Sequence, residues 1–155
     1  MNAWGRFMCL IPISWNELLH VVLKLSRKIR DVDYIVGIKR GGVIPAVLIG
    51  ASLGISEIGF IQLKRYSDDK PPRELYDRPR VLKTEIGNVQ GKIVLLVDDL
   101  ARTGKTLIEA EKLLKNMGAK KVFKAVIVLK KNALFKPDFY GLLLDKCPYF
   151  PWEDL

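Results

Sequence analysis

An α/β protein built on a parallel sheet is predicted by three features of the sequence. Short apolar runs rich in β-branched residues alternate with segments of helical period. One run, Lys92-Ile93-Val94-Leu95-Leu96-Val97, is apolar without alternation, as a central strand covered on both faces requires. Glycine-rich turns follow two of the runs and lead directly into helical segments, the order of a strand–turn–helix unit. The 155 residues are the size of one domain. No repeat or linker divides them, so residues 1–155 are read as one unit.

The elements follow in order. The stretch Phe7 to Ile13 is weakly signal-like, with Arg6 before it, but Pro12 interrupts it and no small-residue cleavage site follows. It is read as an arm or strand of the mature protein. Ser14-Trp15-Asn16-Glu17 matches a capping box, which starts a helix running to about Arg30. Leu18, Val21, Val22 and Leu25 recur on one face of that helix, with Lys24, Arg27 and Lys28 opposite. Tyr34 to Ile38 reads as a buried strand, Ile44 to Leu53 as an apolar helix capped by Gly54, and Ile58 to Leu63 as the next strand. Residues Ser67 to Pro79 carry breaker chemistry, Asp-Asp-Lys-Pro-Pro-Arg, and read as a mobile loop. Val81 to Ile86 is a further strand. A helix from about Thr103 to Met117 ends at Gly118, followed by strands at Val122 to Leu129 and Tyr140 to Leu144.

Charge narrows the partners. The chain has 26 Lys and Arg against 17 Asp and Glu, a net +9, which points to anions: nucleic acid, acidic lipid or phosphorylated small molecules. No apolar run approaches the length of a membrane span. Two cysteines, Cys9 and Cys147, are too few for a disulfide framework or zinc cluster and fit a reducing, cytoplasmic setting. Lys112 to Lys131 holds seven lysines and no acid, the best case for nucleic acid; with Phe123 its one aromatic residue it lacks a stacking surface and reads as a solvated face.

Two strand ends carry chemistry. After the central run comes Asp98-Asp99-Leu100-Ala101-Arg102-Thr103-Gly104-Lys105-Thr106. Paired carboxylates at a buried strand end lose solvation unless something binds them, and vicinal hydroxyls or a hydrated cation would do so. The hydroxyl- and glycine-rich turn then opens a helix whose N-terminal N–H groups favour phosphate. The bland alternative is a capped helix after a strand with two solvated aspartates. Gly104-Lys105-Thr106 is not a Walker A loop, because Asp99 stands where that motif needs glycine. The second strand end, Lys39-Arg40-Gly41-Gly42, joins cations to glycines whose backbone can approach an anion. Alone, it reads equally as a turn beside a solvated basic pair.

Together these residues resemble the type I phosphoribosyltransferases, closest to the short xanthine-guanine and hypoxanthine group. Val94 to Thr106 is similar to that family's phosphoribosyl-pyrophosphate (PRPP) motif. Ile38-Lys39-Arg40-Gly41-Gly42-Val43-Ile44-Pro45-Ala46 is similar to its pyrophosphate loop, and Ile13-Ser14-Trp15 and Phe150-Pro151-Trp152-Glu153 to its two ends. The resemblance implies a parallel sheet core flanked by helices, a flexible hood at about residues 64–84 and a small C-terminal cap. It also implies Mg2+-dependent transfer of the phosphoribosyl group from PRPP to a purine base, in purine salvage. Asp98 and Asp99 would hold the ribose hydroxyls and contact the metal indirectly. Ala101, Arg102, Thr103, Gly104, Lys105 and Thr106 would bind the 5′-phosphate. Lys39, Arg40, Gly41 and Gly42 would take the pyrophosphate, with a cis peptide at Lys39-Arg40. Lys130 would read the base, beside Cys147 and Tyr149. A homodimer or tetramer is implied as well.

The sequence departs from that pattern in the base half. Arg102 stands where 6-oxopurine enzymes carry an aspartate that handles a purine proton, and arginine cannot accept one. Cys147 stands where the family has a stacking ring, and Tyr149 would replace it only if the segment shifts. These departures motivate an alternative: a regulatory protein of the same fold that binds PRPP or nucleotide without transfer. His20, the single histidine, and Cys9 read as structural or solvent residues. Trp4, Trp15 and Trp152 read as packing anchors, and Asp145 and Glu153 as solvated carboxylates rather than ligands of a second metal.

Overall fold

The computed structural model describes residues 10–65, 67 and 73–155. Cys9, Trp4, the start of the Phe7–Ile13 arm and much of the hood's tip (residues 66 and 68–72) lie outside the described residues. The chain runs β1 (Leu10–Pro12), α1 (Trp15–Ser26), β2 (Tyr34–Lys39), α2 (Val43–Leu53), β3 (Ile58–Lys64), β4 (Arg80–Glu85), β5 (Ile93–Ala101), α3 (Lys105–Asn116), β6 (Lys121–Lys130), β7 (Phe139–Leu144) and β8 (Cys147–Tyr149). A 3-10 turn, Pro151–Asp154, follows.

Six strands form the main sheet in the order β4-β3-β2-β5-β6-β7. Five are parallel, and only β4, at one edge, pairs antiparallel. Alternation along β5 divides the core. Leu95 and Val97 pack with α1 and α2, whereas Val94 and Leu96 pack with α3 on the opposite face. The small second sheet pairs β1 with β8. It confirms a strand within the N-terminal arm; β8 has only three residues and a central proline, too little pattern to mark a strand.

Local chemistry sets the boundaries. The capping box is complete: Glu17 N–H donates to Ser14 Oγ at 3.1 Å, and Ser14 N–H donates to Glu17 Oε2 at 2.7 Å. Such a cap contributes about 0.5–2 kcal/mol. Leu18, Val22 and Leu25 of α1 are almost wholly buried, and each stabilises the fold by about 1.5–3 kcal/mol. The helix stops at Ser26, short of Arg30, because Lys28 and Ile29 bond to Leu25 and Ser26 in tightened turns, which lets Ile29 reach the core. β5 runs four residues past Val97, where the sequence ended it. The reason is its neighbour: β2 leaves the ladder at Val97, but β6 continues to pair as far as Ala101 opposite Leu129. α3 starts at Lys105 rather than Thr103, since Gly104, at φ 88°, lies in the left-handed region.

Candidate active site at the carboxyl end of the sheet

The extension of β5 leaves Asp98 and Asp99 within a strand that keeps only one of its neighbours. Successive residues face opposite sides, so Asp99 continues the row of Leu95 and Val97 toward α2, and Asp98 the row of Val94 and Leu96 toward α3. Asp98 is buried, and its Oδ1 accepts the Asp99 N–H at 2.8 Å. Burial pushes the Asp98 carboxyl well above the usual carboxylate range, and the neighbouring charge of Asp99 adds to it. Asp99 is raised as well, first by burial, while hydrogen bonds from its surroundings and the charge of Arg102 oppose the rise. Two acids whose ionised forms are penalised in this way favour a ligand that donates hydrogen bonds or brings positive charge.

The loop after β2 folds onto this pair. Gly42 N–H donates to Ile38 O at 2.7 Å and Val43 N–H to Arg40 O at 3.1 Å, closing a tight turn. The Lys39-Arg40 peptide is cis, as the resemblance implied. Gly41 lies flat on Asp99: a Cβ there would sit 2.0 Å from Asp99 Oδ2. At Gly42 a Cβ would lie 2.5 Å from the Val97 carbonyl. Glycine is therefore what brings the two strand ends into contact.

Residues 102–104 form the second wall. Thr103 Oγ1 accepts the Lys105 N–H at 3.3 Å, and Thr103 O accepts N–H bonds from Leu134 and Phe135 at 3.2 and 3.0 Å. The turn is thus fixed from behind while the first N–H groups of α3 have no intrahelical acceptor, an anion-favouring arrangement. Thr106 stands in that first turn, half-buried, and Arg102 is exposed.

Residues 14–153, most of the chain, match the phosphoribosyl transferase domain. The chain belongs to that family. A xanthine-guanine phosphoribosyltransferase of Idiomarina loihiensis is 27% identical over 145 residues, covering 91% of this chain and 85% of that one. The transcriptional regulator GfcR of Methanococcoides burtonii is 31% identical over 113 residues, 73% of this chain but about half (53%) of the regulator. A purine phosphoribosyltransferase from Pyrococcus horikoshii has a similar structure, with a TM-score of 0.81, 30% identity and 94% coverage of both chains.

The remaining candidate residues are placed less centrally. Lys39 carries its ammonium to Glu85 Oε1, at 2.9 Å. Lys130, at the end of β6, donates to the Asp145 carbonyl, and Lys131 pairs with the Asp145 carboxylate at 3.2 Å. Cys147 and Tyr149 lie on β8, opposite Leu10 and Pro12. The Tyr149 hydroxyl donates to Asp154 at 2.8 Å, and that bond pushes its pKa up. His20 is exposed on α1, lining a groove with β1 and β7.

Glu153 is exposed in the C-terminal 3-10 turn, as a solvated carboxylate would be. Its carboxyl is raised, first by partial burial and further by the charges of Asp99 and Asp154, while the Phe150 backbone N–H opposes the rise. Its turn is seated by aromatic packing: Phe150 is buried and stacks on Trp152 at 4.6 Å, and Trp152 meets Trp15 at 6.3 Å. Trp152 packs against the core as an anchor, as expected, whereas Trp15 stays 48% exposed.

The lysine-rich segment is not a free basic stripe. Lys112 pairs with Glu109, Lys115 and Lys124 both pair with Glu111, and Lys121 lies over the Phe123 ring. The acids come from outside the segment, so its charge is answered locally.

Proposed function

We propose that this phosphoribosyl transferase moves the 5-phosphoribosyl group from PRPP to a purine base, releasing pyrophosphate and a nucleoside monophosphate. The observation that carries the reading is the contact of Gly41 with Asp99, which sets a ribose-binding carboxylate against an anion-binding loop. Asp98 and Asp99 hold the ribose hydroxyls. Residues 101–106 hold the 5′-phosphate through backbone N–H groups, the Thr103 and Thr106 hydroxyls and the Lys105 and Arg102 charges. Arg40, Gly41 and Gly42, with Lys39, hold the pyrophosphate. Lys130, Cys147 and Tyr149 border the base.

In such a transfer, positive charge develops on the sugar and negative charge on the departing pyrophosphate. Fixed carboxylates below the ring and cations at the leaving group stabilise both, and a hood that excludes water strengthens each interaction. Mg2+ suits the donor set. The oxygens offered by Asp98 and Asp99 are a pair of hard carboxylates. Mg2+ prefers that situation, keeping water and substrate phosphate oxygens with only one or two carboxylates nearby. When bound, it would neutralise phosphate charge; Asp98 and Asp99 are the residues that would hold it, through water.

The purine assignment is supported by the named activities of the relatives from Idiomarina and Pyrococcus. A second reading, a regulatory protein that binds PRPP or nucleotide without transfer, is favoured by the likeness to GfcR and by Arg102 in place of a proton-accepting acid. One experiment separates them: PRPP consumption with guanine, hypoxanthine, xanthine, adenine, uracil and orotate, beside calorimetric binding of nucleoside monophosphates. Turnover with a purine supports the enzyme. Binding without turnover on any base replaces it with the regulator. By the family resemblance and its two cysteines, we place the protein in the cytoplasm, as a homodimer or tetramer.

A further inference from the structure

Two side chains of β2 reach across β3 to the hood's return strand, one on each face of the sheet. Tyr34 Oη accepts the Gly87 N–H at 2.9 Å, just beyond β4. Lys39 Nζ reaches Glu85 Oε1 at 2.9 Å. The register shows which way the lysine bends. Lys39 lies level with Gln62 and Lys83, whereas Glu85 lies level with Phe60 and Gly37. Glu85 is therefore two residues back from the carboxyl end, about 6–7 Å along the strand. The lysine stem crosses the Phe60 ring, with Nζ 5.8 Å from its centroid. Its ammonium is thus drawn away from the Arg40–Gly42 turn and from Asp99.

The acid that draws it has a second cation. Lys83 Nζ is 3.0 Å from the same Glu85 oxygen. Hydrogen bonds and charge from Lys39 and Lys83 hold the Glu85 carboxyl below its ordinary range, so it is ionised throughout the neutral region. Because Lys83 stays behind, Lys39 can leave without stranding a bare carboxylate. Both partners are partly exposed, and exposed pairs are weak. A lysine on a flexible four-carbon stem will leave such a pair for a more highly charged anion.

We propose that Glu85 is the counter-ion that Lys39 exchanges for the pyrophosphate group of the ligand. Glu85 is a positioning residue: it touches no substrate, but it sets how readily the loop lysine becomes available, and it ties that event to the strand that carries the hood. The inference rests on the pyrophosphate reading of the Lys39–Gly42 loop.

The test is calorimetric titration of magnesium pyrophosphate into wild type, Glu85→Gln, Lys39→Met and the double variant, with thermal melting to establish folding. Glu85→Gln is expected to tighten binding about two- to fivefold, the range that exposed pairs command. Lys39→Met is expected to weaken binding and to cancel the effect of Glu85→Gln in the double variant. Unchanged or weaker binding in Glu85→Gln overturns the exchange. So does a gain that persists without Lys39, since that would be bulk charge alone. If wild type binds neither pyrophosphate nor PRPP, the proposed function itself falls; binding by wild type with no response to Glu85→Gln removes only the exchange.

Discussion

Replacing Gly41 by alanine should disable the site while leaving the fold intact. A Cβ at this position would lie 2.0 Å from Asp99 Oδ2, 2.3 Å from its Cγ and 2.7 Å from Oδ1, where Cβ atoms essentially never come closer than 3.0 Å. The carboxylate must therefore move by about 1 Å or change rotamer. Because the obstacle is the free end of a side chain, the structural cost is small, about 0.5–1.5 kcal/mol for an off-rotamer shift. The stiffer unfolded chain of alanine returns about 0.4–1 kcal/mol of that. A functional group displaced by about 1 Å, however, costs on the order of 100-fold in rate. Gly42→Ala is the contrast. Its Cβ would meet the Val97 carbonyl at 2.5 Å and the Ile38 carbonyl and nitrogen at 2.6 and 2.8 Å, all backbone. Nothing there can rotate away, so overpacking of roughly 1–3 kcal/mol or more should appear as a melting point several degrees lower. The assay is kcat/KM for PRPP with the best base found, together with thermal melts of both variants. Gly41→Ala within about threefold of wild type in kcat/KM would refute the placement of Asp99 in the site. Equal melting losses in the two variants would refute the distinction between side-chain and backbone obstruction.

Three further outcomes follow from the same geometry. Asp98→Asn should stabilise the ligand-free protein at pH 7 while severely reducing transfer. The folded carboxyl is raised, so its ionisation works against folding: the penalty is absent below the ordinary value of 3.8 and grows as pH rises above it, and the melting advantage of the variant should shrink accordingly toward low pH. Arg102→Asp should raise 6-oxopurine turnover toward the roughly 100-fold that a general base contributes; a fall would show that Arg102 has a positive role of its own. Lys124→Met should destabilise by about 1–3 kcal/mol, since its side chain is only 14% exposed and lies 3.0 Å from Glu111 and 3.7 Å from Asp138. Burial raises Glu111, but Lys115 and Lys124 together bring it below 4.5; its stabilising effect is present above that value and lost as pH falls through the lower, folded one. Acid melts of wild type and Lys124→Met should therefore converge.

The sequence by itself determined the alternation of strands and helices, the capped start of α1, the buried run of β5 and the two glycine-bearing strand ends. Each of these is local: a cap closes within four residues, and a period is visible within one element. It also determined the residue types at Asp98, Asp99 and Thr103 to Thr106, which suit recognition of hydroxyls, a hydrated cation or phosphate. Only the tertiary structure decided how far β5 runs, because that depends on β6 continuing to pair after β2 has stopped. It alone set Gly41 on Asp99, bent Lys39 back to Glu85, answered the lysine-rich segment with Glu109 and Glu111, and stacked Phe150 on Trp152. Those contacts join residues far apart in the chain, and a pairing energy of that kind exists only once the sheet register has brought the partners within reach.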